Sequence, residues 1–185
     1  MNVVATRQST GTTTWNIDPV HSLAEFKAKH MMISSVKGQF AQIQGILVLD
    51  EKDLTNSRVE ASIEGASINT RDAQRDTHLK SADFLYVEKF PTLSFNSTRV
   101  SRSGDGELAV TGDLTIRSAS HKLHLLLKDQ PHRPRILGEY SSGPSAATTI
   151  KRKDFGLTWN AALETGGILV GDEVTITLDV QFVKA

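Results

Sequence analysis

A chain of 185 residues suits one domain with a sizeable core and leaves little room for a second. Its 21 basic and 21 acidic residues cancel, so there is no bulk field to attract nucleic acid or an anionic membrane, and no basic run of the kind groove-binding proteins carry. The absence of cysteine excludes disulfides, thiolate catalysis and cysteine-ligated metals. The N-terminal segment lacks an apolar signal-peptide core, and no apolar run reaches the ~20 residues a membrane-spanning helix needs, so the expected location is the cytoplasm. Residues 1–13 read as a flexible N-terminus, and residues 14–185 read as one domain.

In chain order, the first extended run sets Ala24, Phe26, Ala28 and His30 against Glu25, Lys27 and Lys29. Gly38 and Gly45 lie inside strand-like sequence and are expected to mark bends or bulges. Val59, Ala61 and Ile63 alternate with Arg58, Glu60, Ser62 and Glu64. From Asn69 to Lys80 the pattern changes. Few residues there are β-branched and the charges are spaced for a helix, with Asn69 as its N-cap and Asp72 at the third position. A second short turn runs from Ser81 to Phe84 and stops before Pro91.

Strand patterning then resumes. Leu108, Val110, Leu114 and Ile116 share an apolar face with Gly112, after a tight hairpin at Ser103-Gly104-Asp105-Gly106. Leu123, Leu125 and Leu127 form the next apolar face, blurred by Leu126. Asp129 to Ser145 holds three of the five prolines and reads as a long surface loop. The clearest alternation comes last, with Val174, Ile176, Leu178, Val180 and Phe182 against Thr175, Thr177, Asp179 and Gln181. These runs amount to an all-β protein of about eight antiparallel strands closing into a small barrel, with one helical insertion at about 69–85. An immunoglobulin-like sandwich is the alternative, disfavoured by the mid-chain helix and the missing Cys–Trp–Cys arrangement.

Several motifs, in order, carry a family resemblance. They are Trp15-Asn16-Ile17-Asp18-Pro19-Val20-His21-Ser22, then Val36-Lys37-Gly38-Gln39-Phe40, then Arg75-Asp76-Thr77-His78-Leu79-Lys80-Ser81-Ala82-Asp83-Phe84. Phe90-Pro91-Thr92-Leu93-Ser94-Phe95, Gly112-Asp113-Leu114-Thr115-Ile116-Arg117 and Lys151-Arg152-Lys153-Asp154-Phe155-Gly156-Leu157 follow. None is specific alone. Their order and spacing from Trp15 to Val183 resemble the YceI-like family of polyisoprenoid-binding proteins. Ser118, where the family usually has glycine, and Ala24 and Ala28, where it has larger aliphatic residues, depart from the pattern. The resemblance implies a lipocalin-like barrel that carries or stores a long isoprenoid such as a polyprenyl pyrophosphate or a quinone. It also implies a homodimer and no resident cofactor. Family members are often exported.

The inward positions Phe26, Phe40, Val59, Ile63, Leu93, Phe95, Leu114, Ile116, Leu123, Leu125 and Phe155, with His30 and Phe84, are the candidate tunnel. Read by themselves they fill the barrel with side chains, as in most small barrels. The resemblance implies that they line a lipid channel. On a helix Arg71, Arg75 and His78 share one stripe and could hold an anionic head group, though a solvated face with Arg75 paired to Asp72 or Asp76 is the plainer reading. Arg152 and Asp154 share a face if extended, which suggests a structural ion pair.

A metal site fails on geometry, because His121 and His124 diverge on a strand, as do His21 and His30. No nucleophile elbow or phosphate loop is present, so no catalytic residue is assigned. An enzyme acting on a lipid phosphate through the Arg71, Arg75 and His78 stripe, and a barrel serving as a dimerising module, stand as the alternatives.

Overall fold

The computed structural model describes residues 11–104, 107–127, 140–164 and 166–185, with no side-chain description for residues 140–144. The strands are β1 (Thr12–Ile17), β2 (Leu23–His30), β3 (Ser34–Phe40), β4 (Ile43–Asp50), β5 (Arg58–Glu64), β6 (Ile68–Asn69), β7 (Thr92–Ser103), β8 (Glu107–Ile116), β9 (Ala119–Leu127), β10 (Tyr140–Lys151) and β11 (Val170–Lys184). One helix, α1 (Ala73–Lys80), lies between β6 and β7. All the pairings are antiparallel, in the order β1-β4-β5-β7-β8-β9-β10-β11-β2-β3-β6, with β1 also paired to β11.

That order describes a closed eight-stranded barrel in which three strands are broken by bends. β1 and β2 form one bent strand, interrupted at Asp18-Pro19, where proline removes a ladder donor. β3 and β4 form a second, and β5 and β6 a third, broken by the short helical turn Gly65–Ser67. The 15-residue β11 closes the ring, pairing with β10 along one side and with both β2 and β1 along the other. The antiparallel barrel with one helical insertion is therefore the fold expected from the alternation, and the sandwich is excluded.

The weakest seam is between β9 and β10. Among the described residues these strands pair only at Leu127↔Ala146 and Leu126↔Ala147. Below that point the turn Arg152–Phe155 fills the gap, with His121 Nε2 2.9 Å from the Asp154 carbonyl and the His121 and Phe155 rings edge to face at 5.0 Å.

Gly38 and Gly45 sit in regular register rather than at bulges. They permit close approach instead. The Phe26 ring lies over Gly38, where a Cβ would also stand 2.8 Å from Thr70 Cγ2, and a Cβ at Gly45 would stand 2.8 Å from Ile17 Cδ1. Gly112 sits in the same way beneath the Phe95 ring. The aromatic rings occupy the space that side chains would otherwise fill. Gly112→Ala is therefore expected to cost about 1–3 kcal/mol in denaturant unfolding by forcing Phe95 from its place.

Three expectations are corrected in detail. The expected N-cap at Asn69 does not form and the helix starts later, at Ala73, because Asn69 is held in β6 opposite Gln39 and its Oδ1 accepts from Arg71 N at 2.8 Å. Asp72 is the N-cap and accepts from Arg75 N at 3.0 Å. The loop expected at Asp129 to Ser145 ends earlier, since β10 begins at Tyr140. A register shift falls between Ser142 and Ser145. Residues 128–139 lie outside the described residues. Finally, β1 begins at Thr12, and residues 1–10 of the expected flexible N-terminus also lie outside the described residues.

Candidate functional site

Closing a sheet with one dry face produces an interior of apolar side chains, and here they do not fill it. A cavity of about 1020 Å³ runs through the barrel. Ligand pockets are typically ~300–1,000 Å³, so this one is at the upper end. Its wall is formed by the inward positions of almost every strand. Phe26, Phe40, Val59, Ile63, Phe84, Leu93, Phe95, Leu114, Ile116, Leu123 and Leu125 all line it, together with the small residues Ala24, Ala28, Ala61 and Ala146. Two residues expected in the tunnel are placed outside its lining. His30 ends β2 beyond the wall, and Phe155 is buried against His121 in the turn that seals the β9–β10 seam.

One end is closed by the insertion. Leu79, Phe84 and Leu85 from the α1 region project into the cavity, with Leu157 beside them. His78 locks this plug. Its Nε2 is 2.9 Å from Asp83 Oδ2, and its ring meets Phe84 and Trp159 edge-on at 5.1 and 4.6 Å. Arg75 ties down the chain ahead of the helix, donating from Nε to Thr70 Oγ1 at 2.8 Å and from Nη2 to Thr70 O at 3.0 Å. Asp76 accepts from both Thr70 N and Thr70 Oγ1, at 2.8 and 2.6 Å.

The expected stripe of Arg71, Arg75 and His78 therefore does not form. Arg71 precedes the helix in a left-handed conformation (φ 64°), and none of the three lines the cavity. Arg75 does pair with Asp72, at 3.7 Å, as the plainer reading had it.

Beneath the plug, Arg152 is almost fully buried at 3% exposure. It donates to the carbonyls of Leu157 (2.6 Å), Trp159 (2.8 Å), Gly171 (2.9 Å) and Val170 (3.2 Å), and its Nη2 is 3.4 Å from Asp172 Oδ1. Burial lowers its pKa from the usual arginine value, opposed by the Asp172 charge. Its acidic partner is thus Asp172 rather than Asp154, because Arg152 opens a helical turn in which the i, i+2 strand geometry no longer holds.

The opposite end carries charge. Glu51 and Lys52 from the β4–β5 connection and Arg58 at the start of β5, with Arg102 and Glu107 beside the β7–β8 hairpin, line the cavity where it reaches the surface. No single stretch of sequence marked this rim, because its residues come from strands far apart in the chain. Two carboxylates fix the β4–β5 connection. Asp50 accepts from Lys52 N (2.9 Å) and Asp53 N (3.0 Å), while Asp53 accepts from Thr55 N (3.0 Å) and Thr55 Oγ1 (2.8 Å). These backbone donors are the main reason both carboxyls titrate below the ordinary value of 3.8. A lowered folded-state pKa gives a contribution present above the unfolded value and lost as pH falls through the folded one. Amide exchange at Lys52 and Thr55 is therefore expected to rise as the pH drops below about 4, relative to amides whose partners are carbonyls.

Among the described residues, no helix is long and apolar enough to cross a membrane, and no cluster of three metal-ligating side chains occurs. Comparison with known proteins agrees with the architecture. The chain is 35% identical over 171 residues to the UPF0312 protein SERP2314 of Staphylococcus epidermidis, covering 92% of this chain and 97% of that one. It is 34% identical over the same span to the UPF0312 protein SAS2572 of Staphylococcus aureus. Burkholderia cenocepacia BcnA superposes with a TM-score of 0.76 at 20% identity, over 89% of this chain and 98% of that one. A polyisoprenoid-binding domain from Saccharophagus degradans superposes with a TM-score of 0.67 at 11% identity, over 94% and 99%. The YceI-like domain model matches residues 15–182, and the chain therefore belongs to the YceI-like family.

Proposed function

We propose that this barrel binds a long-chain isoprenoid lipid, of the polyprenyl phosphate or quinone type, and carries or stores it. The cavity carries this reading. At about 1020 Å³, and reaching the surface at the rim, it is far too large to stand empty. The space must hold water or a ligand, and an apolar wall favours the latter, at roughly 0.8 kcal/mol for each CH₂ buried. The fold neighbour described as polyisoprenoid-binding supports the same ligand class.

In this reading the chain lies between the α1 plug and the rim, and the polar head stays among the rim charges. Lys52, Arg58 and Arg102 outnumber Glu51 and Glu107 there, which suits a phosphate or pyrophosphate. The head group thus moves to the end of the barrel away from Arg71, Arg75 and His78. The enzyme alternative has less to rest on, since Arg71 precedes the helix, Arg75 and His78 serve the plug, and none of the three lines the cavity.

The test is a titration with polyprenyl phosphate and with a quinone of matched chain length, followed by thermal shift. Both ligands are expected to raise Tm. Arg58→Ala/Arg102→Ala is expected to weaken the phosphate by about tenfold or more and the quinone little. No Tm change with either lipid would overturn the reading.

A further inference from the structure

The turn joining β2 to β3 is built against its own local preferences. Ile33 N donates to His30 O at 3.2 Å, and the two residues between, Met31 and Met32, have φ of 52° and 61°. Two successive positive φ values are the hairpin pattern that selects asparagine and glycine, and unbranched apolar side chains there carry strain. The same residues are displayed to solvent. Met32 is 65% exposed and Ile33 84% exposed, an apolar tip that hydrophobic burial alone would not leave outside.

The flanks of the hairpin are basic. Lys27, Lys29 and Lys37 are exposed, and Lys27 and Lys37 are register partners across the two strands. The nearby acids do not cancel them evenly. Asp172 is engaged by Arg152 at 3.4 Å and Lys153 at 2.8 Å, Glu173 stands opposite Lys151 on the far side of β11, and Glu25 lies further along β2.

We propose that this hairpin tip is a membrane-docking device, with Met31, Met32 and Ile33 entering the interface of an anionic bilayer while Lys27, Lys29 and Lys37 meet its head groups. An apolar tip above a basic collar is the combination that peripheral insertion requires. A second copy of the chain is the poorer occupant, because a two-fold contact through this hairpin would bring the lysines of both copies together. The chain's zero net charge hides the patch, which exists only once the two strands pair. The proposal holds whatever the cavity contains.

Co-sedimentation with phosphatidylcholine vesicles, with and without phosphatidylglycerol, tests it. The protein is expected to bind the anionic vesicles, less so at high salt. Met32→Ser/Ile33→Ser and Lys27→Glu/Lys37→Glu are each expected to reduce binding by about tenfold or more. Met31→Asn/Met32→Gly separates docking from folding, since it relieves the turn and should hold or raise Tm while losing the vesicles. Two results would overturn the proposal: no binding to anionic vesicles, or binding unchanged in the tip variants, whether or not those variants also dissociate a dimer.

Discussion

Arg152→Met is expected to lower stability by roughly 3–5 kcal/mol, the largest loss of any single substitution considered. The guanidinium satisfies four backbone carbonyls from two segments, Leu157 and Trp159 on one side and Val170 and Gly171 on the other. Methionine keeps only part of the aliphatic stem and none of the donors, so the Leu157, Trp159 and Gly171 carbonyls would lose their arginine partner, Val170 O would keep Asn160 Nδ2 at 2.7 Å, and Asp172 would lose one of its two cations. For a domain of this size the loss corresponds to a fall in Tm of about 6–20 °C. Arg152→Lys should recover only part of it, because an ammonium has three donors from one point and cannot span both segments. Chemical denaturation of the three proteins checks this. A loss below about 1 kcal/mol for the methionine variant would mean that the carbonyls find other partners.

The second large effect concerns the cavity. Ala61 lines it from β5, opposite Phe95, and Ala61→Trp would place an indole in the channel. Lipid uptake is expected to fall by about tenfold or more, since an interior wedge removes space that a flexible chain would otherwise occupy. The stability of the lipid-free protein gives an independent reading. In a filled core the added bulk would cost about 1–3 kcal/mol, whereas in a hollow barrel it should be neutral or favourable. Equilibrium unfolding of delipidated protein decides the sign. A marked destabilisation would show that the interior has no room for a ligand chain.

Much of this architecture is written in the period-two alternation. In β9 it places Leu123 and Leu125 inside and leaves Leu126 39% exposed, so the apparent interruption is an outward residue. The same alternation correctly keeps His124 off the cavity wall, where it bonds Thr111 instead. What periodicity cannot convey is volume. It says which way Phe26 or Ala61 points but not whether facing side chains meet, and that depends on how far apart the closed walls stand. The scattered small residues Ala28, Ala61 and Ala146 were the available hint.

The local errors have one cause, tertiary pairing overriding a good local signal. Asn69 and Asp72 are both acceptable caps, and pairing with Gln39 in β3 took Asn69 out of contention. Arg152 and Asp154 were matched by strand spacing, but the chain turns there, and the acid that Arg152 meets lies in β11. The charged rim assembles from the β4–β5 connection and the β7–β8 hairpin, so no window of sequence contains it. The strained Met31-Met32 turn is likewise visible only in the backbone angles.

The most direct test of the hollow barrel as an isoprenoid site is native mass spectrometry of gently purified protein, followed by extraction and identification of the released lipid. A one-to-one adduct that extraction identifies as an isoprenoid is expected, and it should return when polyprenyl lipid is added to stripped protein. A clean unliganded mass that does not change with added polyprenyl phosphate or quinone would contradict it.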